Sequence, residues 1–182
     1  MPDSLVLGGG CFWCLDASFQ LLPGVTHVTC GYAGGHIENP SYEQVYTDKT
    51  GHAEVVKVDY DPMRITLGQV LEFFWRVHNP TQADGQGEDL GTRYRSVIYY
   101  ADAAQKTAAE KSRAAEQATL SAPITTEIAP LVKFFPAEDY HQNYFARHPE
   151  RAYCAAVIKP KIKKLQVTLA KPEVRDQKSE AR

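Results

Sequence analysis

The sequence predicts an α/β or α+β sandwich, a sheet of strands covered on one face by helices. Three observations carry this expectation. Short strand-like runs alternate with helical stretches, several of them amphipathic. Clusters of glycine and proline punctuate these elements, without internal repeat or low-complexity linker. At 182 residues the chain can bury one substantial core but is cramped for two. Strand order is left open by these patterns.

Leu5 to Leu7 is a short apolar run that stops at Gly8-Gly9-Gly10. Leu15, Phe19 and Leu22 then recur at helical spacing as far as Pro23-Gly24, so the segment reads strand, glycine turn, helix. Cys11 falls at the entrance to that helix, where unpaired N–H groups and the positive end of the macrodipole favour an anion. Val25 to Tyr32 is a second strand ending at Gly34-Gly35, and the turn-rich segment to Thr50 reads as a long loop. Ala53 to Tyr60 alternates, with Glu54, Val56, Val58 and Tyr60 on one face. Glu54 therefore sits on the apolar face of a strand.

Thr66-Leu67-Gly68-Gln69 has capping-box spacing, and Leu67, Val70, Leu71, Phe74 and Val77 supply a core stripe up to Asn79-Pro80. Thr81 to Thr92 holds three glycines and no hydrophobic period, a loop of a length that is often functional. Arg95 to Tyr100 resumes as a strand. Asp102 to Ala118, rich in Ala, Glu, Lys and Gln, predicts a surface helix. Strands are expected at Ile124 to Ile128 and Leu131 to Phe134, and a short helix carrying Tyr140, His141, Tyr144 and Phe145 between Pro136 and Pro149. Ala155 to Ile158 reads as a last strand before the basic run Lys159 to Lys164. Residues 1–170 are expected to form a single catalytic domain, and 171–182 a disordered tail.

Apolar and charged fractions are ordinary, and a formal net charge of −2 gives no electrostatic reason to expect nucleic acid or an anionic membrane as partner. The opening MPDSLVLGGGCFW lacks both the basic and the apolar region of a secretory leader, and no segment approaches a membrane span. A cytoplasmic location is expected. Four cysteines are too few for a secreted disulfide scaffold, and in a reducing compartment such thiols are more often catalytic, metal-binding or buried.

A helix N-terminus behind a glycine turn is one environment that lowers a thiol pKa, which makes Cys11 a candidate nucleophile; the alternative is a buried thiol at a tight turn. Phe12 and Trp13 can wall a small apolar pocket beside it, or pack in the core. Cys11 and Cys14 form the C-x-x-C pair of thiol–disulfide exchange, whereas a zinc site would need two further ligands at suitable spacing. Cys30 reads as a buried thiol. Burial of Glu54 would raise its pKa and let it act as a general acid, unless it lies at a strand edge and reaches water or a salt bridge. Neither phosphate-binding glycine motif is present, and His52-Ala53-Glu54 is not a metalloprotease motif.

Five strings then match something specific: Gly10-Cys11-Phe12-Trp13, Gly31-Tyr32-Ala33-Gly34-Gly35, Thr50-Gly51-His52-Ala53-Glu54, Gly91-Thr92-Arg93-Tyr94-Arg95-Ser96 and Ala137-Glu138-Asp139-Tyr140-His141-Gln142. In this order and spacing they resemble the signatures of the peptide methionine sulfoxide reductase A family, over residues 5 to about 158. The resemblance implies an α+β fold, a two-layer ferredoxin-like plait with helices over a mixed sheet and long loops. It implies reduction of the S epimer of methionine sulfoxide, free or in oxidised proteins, with thioredoxin as reductant and without cofactor or metal; a monomer is expected. By position it makes Cys11 the nucleophile and Glu54 the acid. Tyr42, Asp89 and Tyr94 become the other polar groups around the sulfoxide, and Phe12 and Trp13 the methyl pocket.

Reduction leaves a sulfenic acid that a second thiol can convert to a disulfide. Tyr153-Cys154 matches the first of the family's C-terminal recycling cysteines; the second is absent, and Cys14 stands where many members carry glycine. Cys14 and Cys154 are both candidates, the latter on the expectation of a mobile segment. The rival readings are a thioredoxin-like dithiol oxidoreductase using Cys11 and Cys14 alone, and a zinc-stabilised binding module.

Overall fold

A computed structural model describes residues 3–170; the tail expected at 171–182 lies outside the described residues. Strands are β1 (Asp3–Gly8), β2 (Val25–Ala33), β3 (Ala53–Tyr60), β4 (Gly85–Gln86), β5 (Asp89–Leu90), β6 (Val97–Tyr100), β7 (Glu127–Pro130) and β8 (Phe134–Pro136). Helices are α1 (Phe12–Phe19), α2 (Tyr42–Tyr46), α3 (Leu67–Val77), α4 (Ala103–Gln117), α5 (Tyr144–Arg147) and α6 (Lys159–Ala170). Six strands form one mixed sheet in the order β7-β6-β1-β3-β2-β8, antiparallel except for the parallel β6–β7 pair. The chain is thus α+β.

The period-2 pattern of β3 separates two cores. Val56, Val58 and Tyr60 join Leu5, Leu7, Leu15, Phe19, Leu71 and Phe74 under the helices. Ala53 and Val55 join Val6, Val97 and Tyr99 on the reverse face, so the sheet carries a second, smaller core where the sequence suggested one covered face. Each Val or Leu side chain so buried contributes about 1.5–3 kcal/mol.

Thr66 and Gln69 close the expected capping box of α3. A second box, Ser41 with Gln44, nucleates α2 inside the segment expected to be all loop. The Thr81–Thr92 loop contains the small β4–β5 hairpin. Strands expected at 124–128 and 131–134 fall a few residues later, because β7 is placed by parallel pairing with β6 and β8 by pairing with β2.

The strand expected at Ala155 to Ile158 is a helix. Cys154, Ile158, Ile162 and Leu165 are buried at helical spacing across the boundary at Lys159, so the helical period governs both sides of it. Pro160 lacks the N–H that would bond Ala156, and the turn ahead of it, Cys154–Ile158, widens to π form. Cys154, expected on a mobile segment, is buried in a helical turn whose Ala155, Ala156 and Val157 are exposed.

Candidate active site

Cys11 stands where β1 hands over to α1. Gly10 has φ +91°, and a Cβ there would lie 2.8 Å from Gln86, so glycine alone permits the turn. Gly10 N donates to the Tyr94 carbonyl at 3.0 Å, tying the turn to the 3-10 segment Thr92–Tyr94. Cys11 is then the N-cap of α1 in extended conformation, its carbonyl accepting from Cys14 N while its thiol makes no capping bond. It is 8% exposed.

Glu54 meets this turn from β3, in the interior of the sheet between β1 and β2. It is 1% exposed, and its Oε2 accepts the Phe12 N–H at 3.1 Å, one of the unpaired donors of the first helical turn. Burial pushes its carboxyl up to about 8, against the opposing pull of that hydrogen bond and of Arg93. Glu54 therefore holds a proton at neutral pH, and the strand-edge alternative does not apply.

Ionisation of Glu54 or of Cys11 would raise the phenols of Tyr42 and Tyr94 further. Burial pushes the Tyr42 phenol up to about 12 and raises that of Tyr94, so both remain donors across the neutral range. Tyr42 is anchored through its backbone N–H to Glu138 at 2.8 Å, and Tyr94 lies under the Arg93 guanidinium. Asp89, in the β4–β5 hairpin, accepts from the Tyr153 hydroxyl at 2.6 Å. That hydroxyl in turn lies 3.7 Å from the Cys14 sulfur.

Phe12 is a core ring packed against Tyr32 and His141, the structural alternative of the sequence reading. Trp13 is half-buried, stacks on Tyr144 at 3.8 Å and donates its Nε1–H to His141 Nδ1 at 3.1 Å. His141 is thereby a neutral imidazole with its proton on Nε2; burial lowers its pKa.

In the C-x-x-C pair each side chain influences the protonation of the other, in opposite directions. Burial, followed by the bond to Cys14, pushes Cys11 well above the usual thiol range, contrary to the lowering expected from its place at the helix start. The neighbouring Cys11 side chain lowers Cys14 to about 7 against desolvation, with Lys161 and Tyr153 acting in the same direction as Cys11. Desolvation outweighs the helix terminus at Cys11 because its thiol has no capping partner. Cys30 is buried as expected, its thiol donating to the Phe12 carbonyl at 3.7 Å. Cys154 is fully buried, close enough to Cys14 for its thiol to be raised by that neighbour's charge as well as by burial.

Five residues of this site were not singled out in the sequence reading. Glu138, which binds the Tyr32 hydroxyl and the Tyr42 N–H, lies within one of the motif strings, as do His141 and Arg93. Tyr153 carried only its adjacency to Cys154 as a signal, and Lys161 none beyond its basic run.

Residues 3–173 match the family described as peptide methionine sulfoxide reductase. A peptide methionine sulfoxide reductase MsrA of Nautilia profundicola is 51% identical over 164 residues, covering 90% of this chain and 94% of the relative. One from Polynucleobacter asymbioticus is 50% identical, covering 90% and 87%. Among solved structures, reduced Mxr1 of Saccharomyces cerevisiae superposes with a TM-score of 0.80 at 32% identity, covering 84% of this chain and 89% of its own. Methionine sulfoxide reductase A of Corynebacterium diphtheriae gives 0.74 at 36%, covering 81% and 76%. With matches that span nearly the whole length, and a buried thiol facing a buried carboxyl at the centre, the chain belongs to the peptide methionine sulfoxide reductase family.

Proposed function

We propose that this methionine sulfoxide reductase acts on the S epimer, free or within oxidised proteins, by attack of the Cys11 sulfur while Glu54 protonates the departing oxygen. Reduction of methionine sulfoxide itself follows from membership of the family, whose relatives at about 50% identity carry that name. The observation that carries the mechanism is the buried, protonated Glu54 carboxyl lodged against the first turn of α1. A carboxyl held near 8 is an acid suited to neutral pH.

The substrate methyl group packs against Trp13 with Phe12 behind it, and the hydroxyls of Tyr42 and Tyr94 donate to the oxygen as its negative charge grows. Asp89 acts from the far side by fixing the Tyr153 hydroxyl. Two electrons pass from Cys11 to the substrate sulfur, leaving methionine and a sulfenic acid at Cys11. Cys14, in the same first turn of α1 as Cys11, is supported as the thiol that condenses with it, and Cys154, whose thiol is raised by the charge of Cys14, as a second candidate. No cofactor or metal enters these steps.

Thioredoxin is the proposed reductant of the resulting disulfide. Mxr1 has been crystallised in complex with Trx2, a structure similar to this chain with a TM-score of 0.58 at 26% identity. Among the described residues no helix is long and apolar enough to cross a membrane, and our reading is a monomeric cytoplasmic enzyme with residues 1–170 as one catalytic domain. The order β6-β1-β3-β2, with α1 and α3 as crossovers, supports a ferredoxin-like plait at its centre. The test is turnover of the two sulfoxide epimers of a blocked methionine, with dithiothreitol and then with thioredoxin. Turnover of the S epimer with both reductants is expected, and equal or greater turnover of the R epimer overturns the reading.

A further inference from the structure

Tyr42 and Tyr94, the two proposed donors to the sulfoxide oxygen, come from segments that no strand pairing joins, α2 and the 3-10 segment Thr92–Tyr94. Arg93 and Asp48 join them. The Arg93 guanidinium lies over the Tyr46 ring at 4.3 Å and over the Tyr94 ring at 4.5 Å. Tyr46 stands one turn from Tyr42 on α2, with the ring centroids 5.9 Å apart. One series of ring contacts thus runs from Tyr42 through Tyr46 and Arg93 to Tyr94. Asp48, two residues past the end of α2, grips the same segment by its carboxylate. Its Oδ1 accepts from the Arg93 N–H at 2.9 Å and from the Thr92 hydroxyl at 3.2 Å, and its Oδ2 accepts from Arg93 Nη1. Gly91 makes room for this approach: at φ +131°, a Cβ there would lie 2.6 Å from Asp48 Oδ2 and 2.7 Å from Arg93 Nη1.

We propose that Asp48 and Arg93 are positioning residues for the reductive step, a clasp that holds Tyr42 and Tyr94 in register across the sulfoxide oxygen. This rests on the reading of the two tyrosines as donors to that oxygen. Two hydroxyls from separate segments serve one oxygen only if both converge within hydrogen-bond distance, and a misplacement of about 1 Å can cost about 10²-fold in rate. The Glu138 carboxylate fixes the Tyr42 backbone at 2.8 Å, and the clasp then sets where the tyrosine of the other segment stands relative to it.

The state of the guanidinium fits this role better than that of a surface ion pair. Arg93 is 8% exposed, and its buried Nε–H has no hydrogen-bond partner among the described residues. A surface arginine would keep that N–H in water. Here it is withdrawn so that the planar cation can lie against two aromatic rings while its fork meets one carboxylate, a combination that lysine does not reproduce. Arg93 also acts electrostatically on Tyr42, Glu54 and Tyr94 alike, in keeping with a place beside all three.

The experiment is a rapid-mixing single turnover without reductant, over a range of methionine sulfoxide concentrations, for the parent, Arg93→Lys, Asp48→Asn and Tyr46→Ala. Each substitution is also placed in a Tyr42→Phe/Tyr94→Phe background. Arg93→Lys keeps the charge but not the planar fork, and should lower the limiting rate by about 10-fold while the half-saturating concentration stays within about 2-fold. Asp48→Asn should act in the same direction. Tyr46 is 54% exposed, so Tyr46→Ala tests the ring contact with little demand on the fold, and a smaller fall in the same rate is expected. Without the two hydroxyls each substitution should cost less than about 2-fold, because the clasp acts through them. A parental limiting rate in both Arg93→Lys and Asp48→Asn, or a loss of equal size with and without the hydroxyls, overturns the inference. A parental rate in Tyr42→Phe/Tyr94→Phe itself overturns the donor assignment instead, so the two failures are distinguishable.

Discussion

The two walls of the active site are built by different means. Cys11 and Glu54 stand on β1, α1 and β3, regular elements joined by ladder pairs such as Leu7 with Val56 and Tyr32 with Glu54. The facing wall, from Glu138 to Cys154, is a run of short turns with little regular hydrogen bonding of its own. Side chains hold it in place: Gln142 bonds both the N–H and the carbonyl of Cys30, Trp13 bonds His141, and Tyr153 bonds Asp89. Backbone thus positions the two proposed reacting groups, and side-chain bonds position the groups around them. Damage to the first wall should stop chemistry, and damage to the second should alter recycling or stability first.

The sharpest break of this contrast is Cys11→Ser, which should abolish reduction even with excess dithiothreitol. Measurable catalytic turnover in that variant would remove the first wall from the chemistry. Next in size, the double variant Cys14→Ser/Cys154→Ser should lose thioredoxin-driven turnover yet still release a first equivalent of methionine. If it turns over at the parental rate, thioredoxin attacks the sulfenic acid directly and the two-thiol route is wrong.

Glu54→Gln should slow the reductive step by about 10²-fold to 10⁴-fold, with binding affected much less. As the proposed acid Glu54 acts when protonated, so the parental rate should show an alkaline limb, falling as pH rises through its raised value of about 8. That limb should vanish from the residual activity of the variant. The same raised value means that the folded state binds the proton more tightly than the unfolded chain. The stabilisation from that proton is complete below the unfolded value and is lost as pH rises towards 8. A denaturation series in pH should therefore decline for the parent relative to Glu54→Gln, and parallel curves would contradict the buried carboxyl.

On the second wall, Gln142→Ala leaves the Cys30 amide and carbonyl without these partners and should cost about 1–3 kcal/mol in denaturant unfolding. Its single-turnover rate should change far less than that of Glu54→Gln. An unchanged midpoint would mean that side-chain bonds do not hold this wall. The smallest effect is expected for Cys30→Ser, whose buried thiol donates to the Phe12 carbonyl and whose reductive activity should stay nearly intact.

Local pattern alone was enough for the strand at Ala53–Tyr60, the capped helix at Leu67–Val77, the glycine turn ahead of Cys11 and the place of Glu54 on an apolar strand face. In each, the period of the apolar residues and the capping or turn chemistry lie within a few adjacent positions. The motif strings held the thiol, the carboxyl and Tyr94 for the same reason, whereas Tyr42 lay outside them and was reached only through the family resemblance. Contacts between distant segments decided the rest. Ala155–Ile158 is helical because Cys154 and Ile158 continue the buried stripe of Ile162 and Leu165 against α1. Strands β7 and β8 begin where their partners in β6 and β2 allow. The titration of Cys11 reversed expectation, since a helix start favours an anion there whereas burial raises its thiol, and it is Cys14 that is lowered, by Cys11 first and then by Lys161 and Tyr153. Tyr153 and Lys161 lie well over a hundred residues from Cys14 along the chain, and only folding brings their charges and hydroxyls to bear on it.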